Sequence, residues 1–257
     1  MSSRTIELLT PGTIASIPTA SLANLGSVYY ATDEEATYQC VQTGATTFSW
    51  KNVGGIALKT YLSSSLVGWN VSNGNGTASI NGGFKVALTA GQSSSAAYPD
   101  TTAPKYYRDI SADIAGVEDF TIWVRIVSAT LASDQNIGIA LGDSSDTTNV
   151  GICAFTGVAG QLTCTPFASS GYIGAPAGSV TFDGAGWIGI SRRGGIYSAL
   201  AGIGTTTTPP TEYVACMTQT LSSAGYAKLN RLTIWPQKFG GGDMDGVFDD
   251  VRIYKHI

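Results

Sequence analysis

The sequence predicts an all-β protein, most of it a two-sheet antiparallel sandwich preceded by a small β-meander. Three observations predict it. Apolar residues alternate with polar ones in many short runs. No stretch holds a helical period for ten residues. Gly, Asn, Asp and Ser break the runs at short intervals, as turns between strands require.

Residues 1–55 read as a separate arm and anchoring module. Met1 to Ser16 is an extended arm containing Pro11-Gly12. Pro18 near its start and Gly26 just past its end predict a short helix over Pro18 to Leu25. Ser27 to Ala31, Thr37 to Gln42 and Thr47 to Asn52 read as three strands, with Asp33-Glu34-Glu35 as an exposed turn. A unit this small rarely closes its own core. Tyr29, Tyr30, Tyr38, Phe48 and Trp50 are therefore expected to need another surface, which makes them candidate anchoring residues. Residues 56–68 are too apolar for a free linker, and a docked connector is expected.

The sandwich is expected over residues 69–257. Thr77 to Asn81 and Phe84 to Thr89 pair across Gly82-Gly83. Asp119 to Ser128 is the clearest strand, with Phe120, Ile122, Val124 and Ile126 on one face and Trp123 and Arg125 on the other. Asn136 to Gly142, Asn149 to Phe155 and Gln161 to Phe167 follow. Trp187 to Arg192 and Ile196 to Leu200 form a hairpin over Arg193-Gly194-Gly195. Tyr213 to Thr218, Leu229 to Trp235 and Gly246 to Tyr254 complete a set large enough for two packed sheets.

Composition narrows the function classes. Charged residues are 12% of the chain, about half the usual share. The surface is thus built from neutral hydrogen-bonding groups. The net charge is -4, and no basic run exceeds Arg192-Arg193, so a nucleic-acid partner is not expected. No apolar stretch approaches the roughly 18 residues of a membrane helix, and no membrane insertion or secretory signal is expected. The one His and the four Cys show no zinc-ligand spacing.

Three stretches resemble concanavalin-like, laminin-G-like jelly rolls. They are Asp119-Phe120-Thr121-Ile122-Trp123-Val124-Arg125, then Gly186-Trp187-Ile188-Gly189-Ile190-Ser191 with Gly194-Gly195-Ile196-Tyr197, and Gly246-Val247-Phe248-Asp249-Asp250-Val251-Arg252-Ile253-Tyr254. The last is the most specific. One departure is that Tyr197 is followed by Ser198-Ala199-Leu200 where the family often has an Asp-Gly turn.

The N-terminal stretch has its own likeness. Ile17-Pro18-Thr19-Ala20, Asn24-Leu25-Gly26-Ser27-Val28-Tyr29-Tyr30-Ala31-Thr32-Asp33 and Trp50-Lys51-Asn52-Val53-Gly54 resemble a small module of bacteriophage tail and fibre proteins. Together the resemblances imply a virion structural protein exposed on a particle surface. Its partners would be other virion proteins, two further copies in a homo-trimer, and a host-surface glycan.

Candidate chemistry is sparse. A glycosidase needs two carboxylates facing across a cleft, about 5–9.5 Å apart. Glu7, Glu34, Glu35, Glu118 and Glu212 do not form the single-strand pattern that would supply them, so the expectation is a protein that is not an enzyme, with no catalytic residue. Asp243 and Asp245, near Asp249 and Asp250, are the candidate metal ligands; calcium is the cofactor such oxygens would take, and a structural polar loop is the other reading. Alternation places Asp249 and Asp250 on opposite faces of their strand. Cys153 and Cys164 are equidistant from a turn at Val158-Ala159, which permits a disulfide if they lie opposite each other. Two buried thiols are the other outcome. Trp123, Arg125, Tyr98, Tyr106 and Tyr107 are the candidate ligand-binding residues, Trp123 because it sits opposite a fully apolar face. The expected function is a fibre or receptor-binding component. A capsid decoration protein is the first alternative, and a carbohydrate-binding module or glycan-cleaving enzyme the second.

Overall fold

A computed structural model describes residues 9–32, 36–55, 57–62, 67–94, 102–114, 119–143, 150–157, 161–168, 171–172, 179–181, 185–202, 207, 210, 213–220 and 229–256. The chain divides into two compact units, residues 1–59 with 254–257, and residues 60–253. The division falls inside the stretch read as a connector, where β4 (Ala57–Leu62) runs. Among the described residues no helix is long and apolar enough to cross a membrane.

The smaller unit is an antiparallel meander of β1 (Val28–Ala31), β2 (Ala36–Gln42) and β3 (Phe48–Gly55), in that spatial order. The arm adds to its free edge. Gly12 bridges Ala31 in parallel, and the Leu9 and Gly12 amides donate to the Val28 and Tyr30 carbonyls at 2.8 and 3.1 Å. Tyr29 is buried; its hydroxyl donates to the Thr13 carbonyl at 2.8 Å, and its ring lies 6.3 Å from that of Trp50. The Trp50 indole donates to the Pro18 carbonyl at 2.6 Å. Tyr38 and Phe48 are half-buried, and Tyr30 is exposed. The helix expected over Pro18 to Leu25 is a single 3-10 turn, Leu22–Asn24. The Ser21 hydroxyl bonds the Asn24 side chain at 2.5 Å, a local polar contact of the kind that favours turns over helix. The turn Asp33-Glu34-Glu35 lies outside the described residues.

The larger unit carries two sheets. Its strands are β5 (Asn70–Ser72), β6 (Thr77–Ile80), β7 (Phe84–Leu88), β8 (Lys105–Asp109), β9 (Asp119–Thr130), β10 (Gln135–Asp143), β11 (Val150–Gly157), β12 (Gln161–Ala168), β13 (Gly171–Tyr172), β14 (Ser179–Thr181), β15 (Gly186–Arg193), β16 (Ile196–Gly202), β17 (Tyr213–Thr220), β18 (Leu229–Lys238) and β19 (Met244–His256). The first sheet runs β17-β16-β15-β9-β19-β7-β6. The second runs β13-β12-β11-β10-β18-β8-β5, with β14 on β12.

The inner faces meet in one apolar core. Phe120, Ile122, Val124 and Ile126 of β9 and Ile188 and Ile190 of β15 pack against Ile137, Ile139 and Leu141 of β10 and Leu232 and Ile234 of β18. Each such side chain contributes roughly 1.5–3 kcal/mol by leaving water. Trp69, Phe84 and Tyr106 stack through this core, with ring centroids 4.9 and 4.7 Å apart.

One alternation breaks, and it corrects the reading of the last strand. Phe248, Val251 and Ile253 all face the core, an odd spacing that requires an extra residue between Phe248 and Val251. Asp249 and Asp250 are consequently both turned outward. Asp249 pairs with Arg125 of β9, and Asp250 with Arg252. The Arg252 guanidinium lies 5.7 Å from the ring centre of Trp187, which sits directly opposite Arg125. The three sequence stretches that carry the jelly-roll resemblance therefore converge here, knitting the neighbouring strands β15, β9 and β19.

The cysteine geometry is also corrected. Cys153 pairs in register with Thr165, and Cys164 with Ala154, so the two cysteines are one residue out of step. They are therefore not the directly opposed pair on which a bridge across the hairpin was conditioned. Cys40 and Cys153 are buried thiols.

Candidate functional site

The outer face of the second sheet holds the most distinctive constellation. Its central strands carry small residues there: Gly138, Ala140 and Gly142 on β10, and Gly151 and Cys153 on β11. Glycine within a strand marks a place where something approaches the backbone closely. Gly138 lies directly opposite both Trp235 of β18 and Phe155 of β11. A Cβ on Gly138 would come within 2.5 Å of the Phe155 Cβ. The two aromatic rings thus flank a residue with no side chain, in edge-to-face contact at 6.2 Å.

Trp235, Phe155, Ala140, Cys153 and Ala103 form a second apolar cluster, separate from the main core. Ala103, from the segment before β8, packs on the strip. Trp235 is only 1% exposed, yet among the described residues its indole nitrogen has no hydrogen-bond acceptor. A buried donor left in this state costs about 1–3 kcal/mol.

Polar groups frame the strip. The Asn136 amide donates to the Gln237 side-chain oxygen at 3.1 Å at one end. Arg231 stands opposite Asp109 at the other, and Tyr107 stands opposite Thr233 and Asn70. Apolar and aromatic lining with a few convergent polar groups is the usual make-up of a small-molecule pocket.

The sequence-predicted ligand residues do not gather here as a set. Tyr107 does lie on this face, half-buried. Tyr106 is buried in the main core, because its neighbour in the alternation takes the outer position. Trp123 and Arg125 belong to the outer face of the other sheet. Trp123 is not an exposed platform but 4% exposed: its ring lies across Gly189, with ring carbons 2.8 and 3.1 Å from where a Cβ would stand. Arg125 is held by Asp249. Tyr98 lies outside the described residues.

Asp243 and Asp245 are likewise spoken for. Asp243 accepts the Ala90 amide at 2.7 Å, and Asp245 pairs with Lys85 at 2.8 Å. Among the described residues no three His, Cys, Asp or Glu side chains gather to hold a metal ion. Sequence alone offers Trp235 as a stacking platform but favours a core role for it; Phe155 and the small strip escaped sequence reasoning because only the topology brings them beside it. The one usable signal was the small residue at alternate positions of Asn136 to Gly142.

No family model matches the sequence. No curated protein matches it either. Solved structures do match in fold. A Crh5 transglycosylase in complex with NAG aligns with a TM-score of 0.51 at 13% identity, covering 78% of this chain and 84% of that one. A prokaryotic β-1,3-1,4-glucanase (lichenase) from a mouse hindgut metagenome aligns at 0.51 and 10% identity, covering 78% and 99%. A bifunctional GH43-CE protein of Bacteroides eggerthii aligns at 0.52 and 10% identity over 90% of this chain and 34% of that chain. The larger unit is a concanavalin-like jelly roll.

These matches overturn the expectation that the chain is not an enzyme. That expectation rested on the absence of paired glutamates along one strand, and a fold shared with a lichenase and a transglycosylase does not support it. Carboxylates contributed by separate strands or loops leave no linear pattern. All five glutamates, moreover, lie outside the described residues.

Proposed function

We propose that this chain is a carbohydrate-active jelly-roll protein that holds a saccharide against the outer face of the second sheet. The observation that carries the reading is the buried indole N–H of Trp235, which among the described residues lacks an acceptor beside a strip of glycine and alanine. A saccharide supplies what the face lacks: hydroxyl oxygens for the indole, and an apolar ring face for Trp235 and Phe155. Asn136, Gln237, Arg231 and Tyr107 provide donors and acceptors at the rim. Entry displaces the segment carrying Ala103. The fold shared with glycan-active proteins supports the same reading.

A glycan array followed by calorimetry tests it. Binding to a β-linked glucan or N-acetylglucosamine oligomer is expected, weakened at least tenfold in Trp235→Ala. Unchanged binding in that variant places the glycan elsewhere, and an array without a hit removes the reading.

A second reading, glycan cleavage or transfer, is favoured by the lichenase and transglycosylase fold. Release of reducing ends from mixed-linkage β-glucan, or change in oligomer length without net release, is its signature.

The arm and meander support a setting for this activity. Their likeness to a phage module suits a component of a particle surface, assembled as a homo-trimer and presenting the jelly roll to host glycans. Light scattering is expected to give three times the chain mass; a monomer at working concentration contradicts the assembly.

A further inference from the structure

We propose that Phe239 is a stacking residue of a second saccharide subsite at the end of this face, an inference that rests on the reading of the face as a glycan surface. Along β18, Arg231, Thr233, Trp235 and Gln237 occupy its outward positions. Phe239 is the next residue on that register. Its amide donates to the Asp134 carbonyl at 3.0 Å, so the ladder with the β10 side continues to this position.

Unlike Trp235, Phe239 is open to solvent. It is 54% exposed, and among the described residues no other Phe or Trp is a large exposed hydrophobic.

The turn that presents it is held from below. Gln135 is buried, and its amide nitrogen donates to the Gly240 and Gly242 carbonyls at 3.3 and 3.0 Å. The oxygen of the same side chain accepts the Ala132 amide at 2.7 Å. On the flank, the Lys238 ammonium donates to the Thr89 carbonyl at 2.6 Å, and Asp243 accepts the Ala90 amide at 2.7 Å. A tight glycine turn, with Gly241 at φ +83, completes the support. An aromatic ring on a backbone fixed in this way loses little freedom when a ligand stacks on it.

Four residue steps of extended chain take the backbone from Trp235 to Phe239, about 13 Å. A single sugar ring cannot span that distance. Phe239 therefore acts on chain length: short saccharides use the Trp235 strip, and longer ones also stack a ring on Phe239. Its apolar face suits the C–H face of a pyranose, and no charge on the ligand is required.

Calorimetric titration with β-1,3-1,4-gluco-oligosaccharides of increasing length tests the subsite on wild type, Phe239→Ala, Phe239→Trp and Trp235→Ala. In Phe239→Ala, disaccharide affinity is expected to be unchanged and hexasaccharide affinity to fall about tenfold, the scale of one aromatic contact. Phe239→Trp should keep the long-chain affinity. Thermal unfolding of Phe239→Ala should match wild type, since the ring is exposed. Equal long-chain affinity in Phe239→Ala and wild type overturns the subsite while the glycan-face reading stands, provided Trp235→Ala weakens all lengths. Undiminished binding in Trp235→Ala overturns the face itself, and absence of binding by wild type overturns both.

Discussion

Arg125 and Asp249, 124 residues apart in sequence, face each other across β9 and β19 as a two-pronged ion pair. The Arg125 Nε donates to one carboxylate oxygen at 2.6 Å, and a terminal guanidinium nitrogen donates to the other. Both side chains keep about a fifth of their surface exposed, so solvent screens part of the attraction. The hydrogen bond to Asp249 raises the Arg125 pKa, and the charges of Asp249 and Asp250 add to it against a desolvation cost.

Arg125→Met is therefore expected to lower unfolding stability by about 1–2 kcal/mol, because it takes the guanidinium away from the Asp249 carboxylate, which lies beside Asp250.

 The measurement is urea unfolding of the single variant and of the Arg125→Met, Asp249→Leu double variant. The double variant should recover part of the loss, since neither charge is then left alone.

Alkaline pH should destabilise the larger unit. Burial pushes the Tyr106 phenol up to about 12, and it pushes Tyr197 to about 12 against a partial pull downward from Arg192. Both values lie above the ordinary 10.0, so the folded protein holds these protons more tightly than the unfolded chain. The stability they contribute is complete below pH 10, and it is lost as pH rises from about 10 to about 12. Urea midpoints measured across that window should fall steeply. A flat profile contradicts the burial of the two phenols.

Tyr106→Phe separates the two contributions. Among the described residues the buried Tyr106 hydroxyl has no hydrogen-bond partner, while its ring stacks on Phe84. Deleting the oxygen removes an unsatisfied group and keeps the ring. Stability at neutral pH is expected to hold or rise by up to about 1 kcal/mol, whereas Tyr106→Ala should cost about 3–5 kcal/mol. The alkaline loss in Tyr106→Phe should shrink to the share of Tyr197.

The strands were legible because each carries its own alternation. Phe120 to Ile126 and the Trp187 to Leu200 hairpin could be placed from local pattern alone, and both stand where alternation puts them. What the pattern does not carry is anything set by neighbours. The extra residue between Phe248 and Val251 reverses the facing of everything beyond it, and only the packing of Val251 and Ile253 reveals it. Trp123 was correctly assigned to the outer side, but its burial depends on Gly189 of the adjacent strand. The motifs themselves misdirected the search. Arg125, Trp187, Asp249 and Arg252 are conspicuous in sequence because they lock three strands together. The strip beside Trp235, by contrast, is built from glycine and alanine, whose message is the space they leave.

The most direct test is the indole N–H spectrum of the nitrogen-labelled protein, titrated with a β-1,3-1,4-gluco-hexasaccharide. The five tryptophans allow five signals, and Trp235→Phe identifies the one that matters. The account predicts that the Trp235 signal moves saturably, by more than those of Trp123 and Trp187 on the other sheet. A titration that shifts Trp123 or Trp187 and leaves Trp235 still contradicts it.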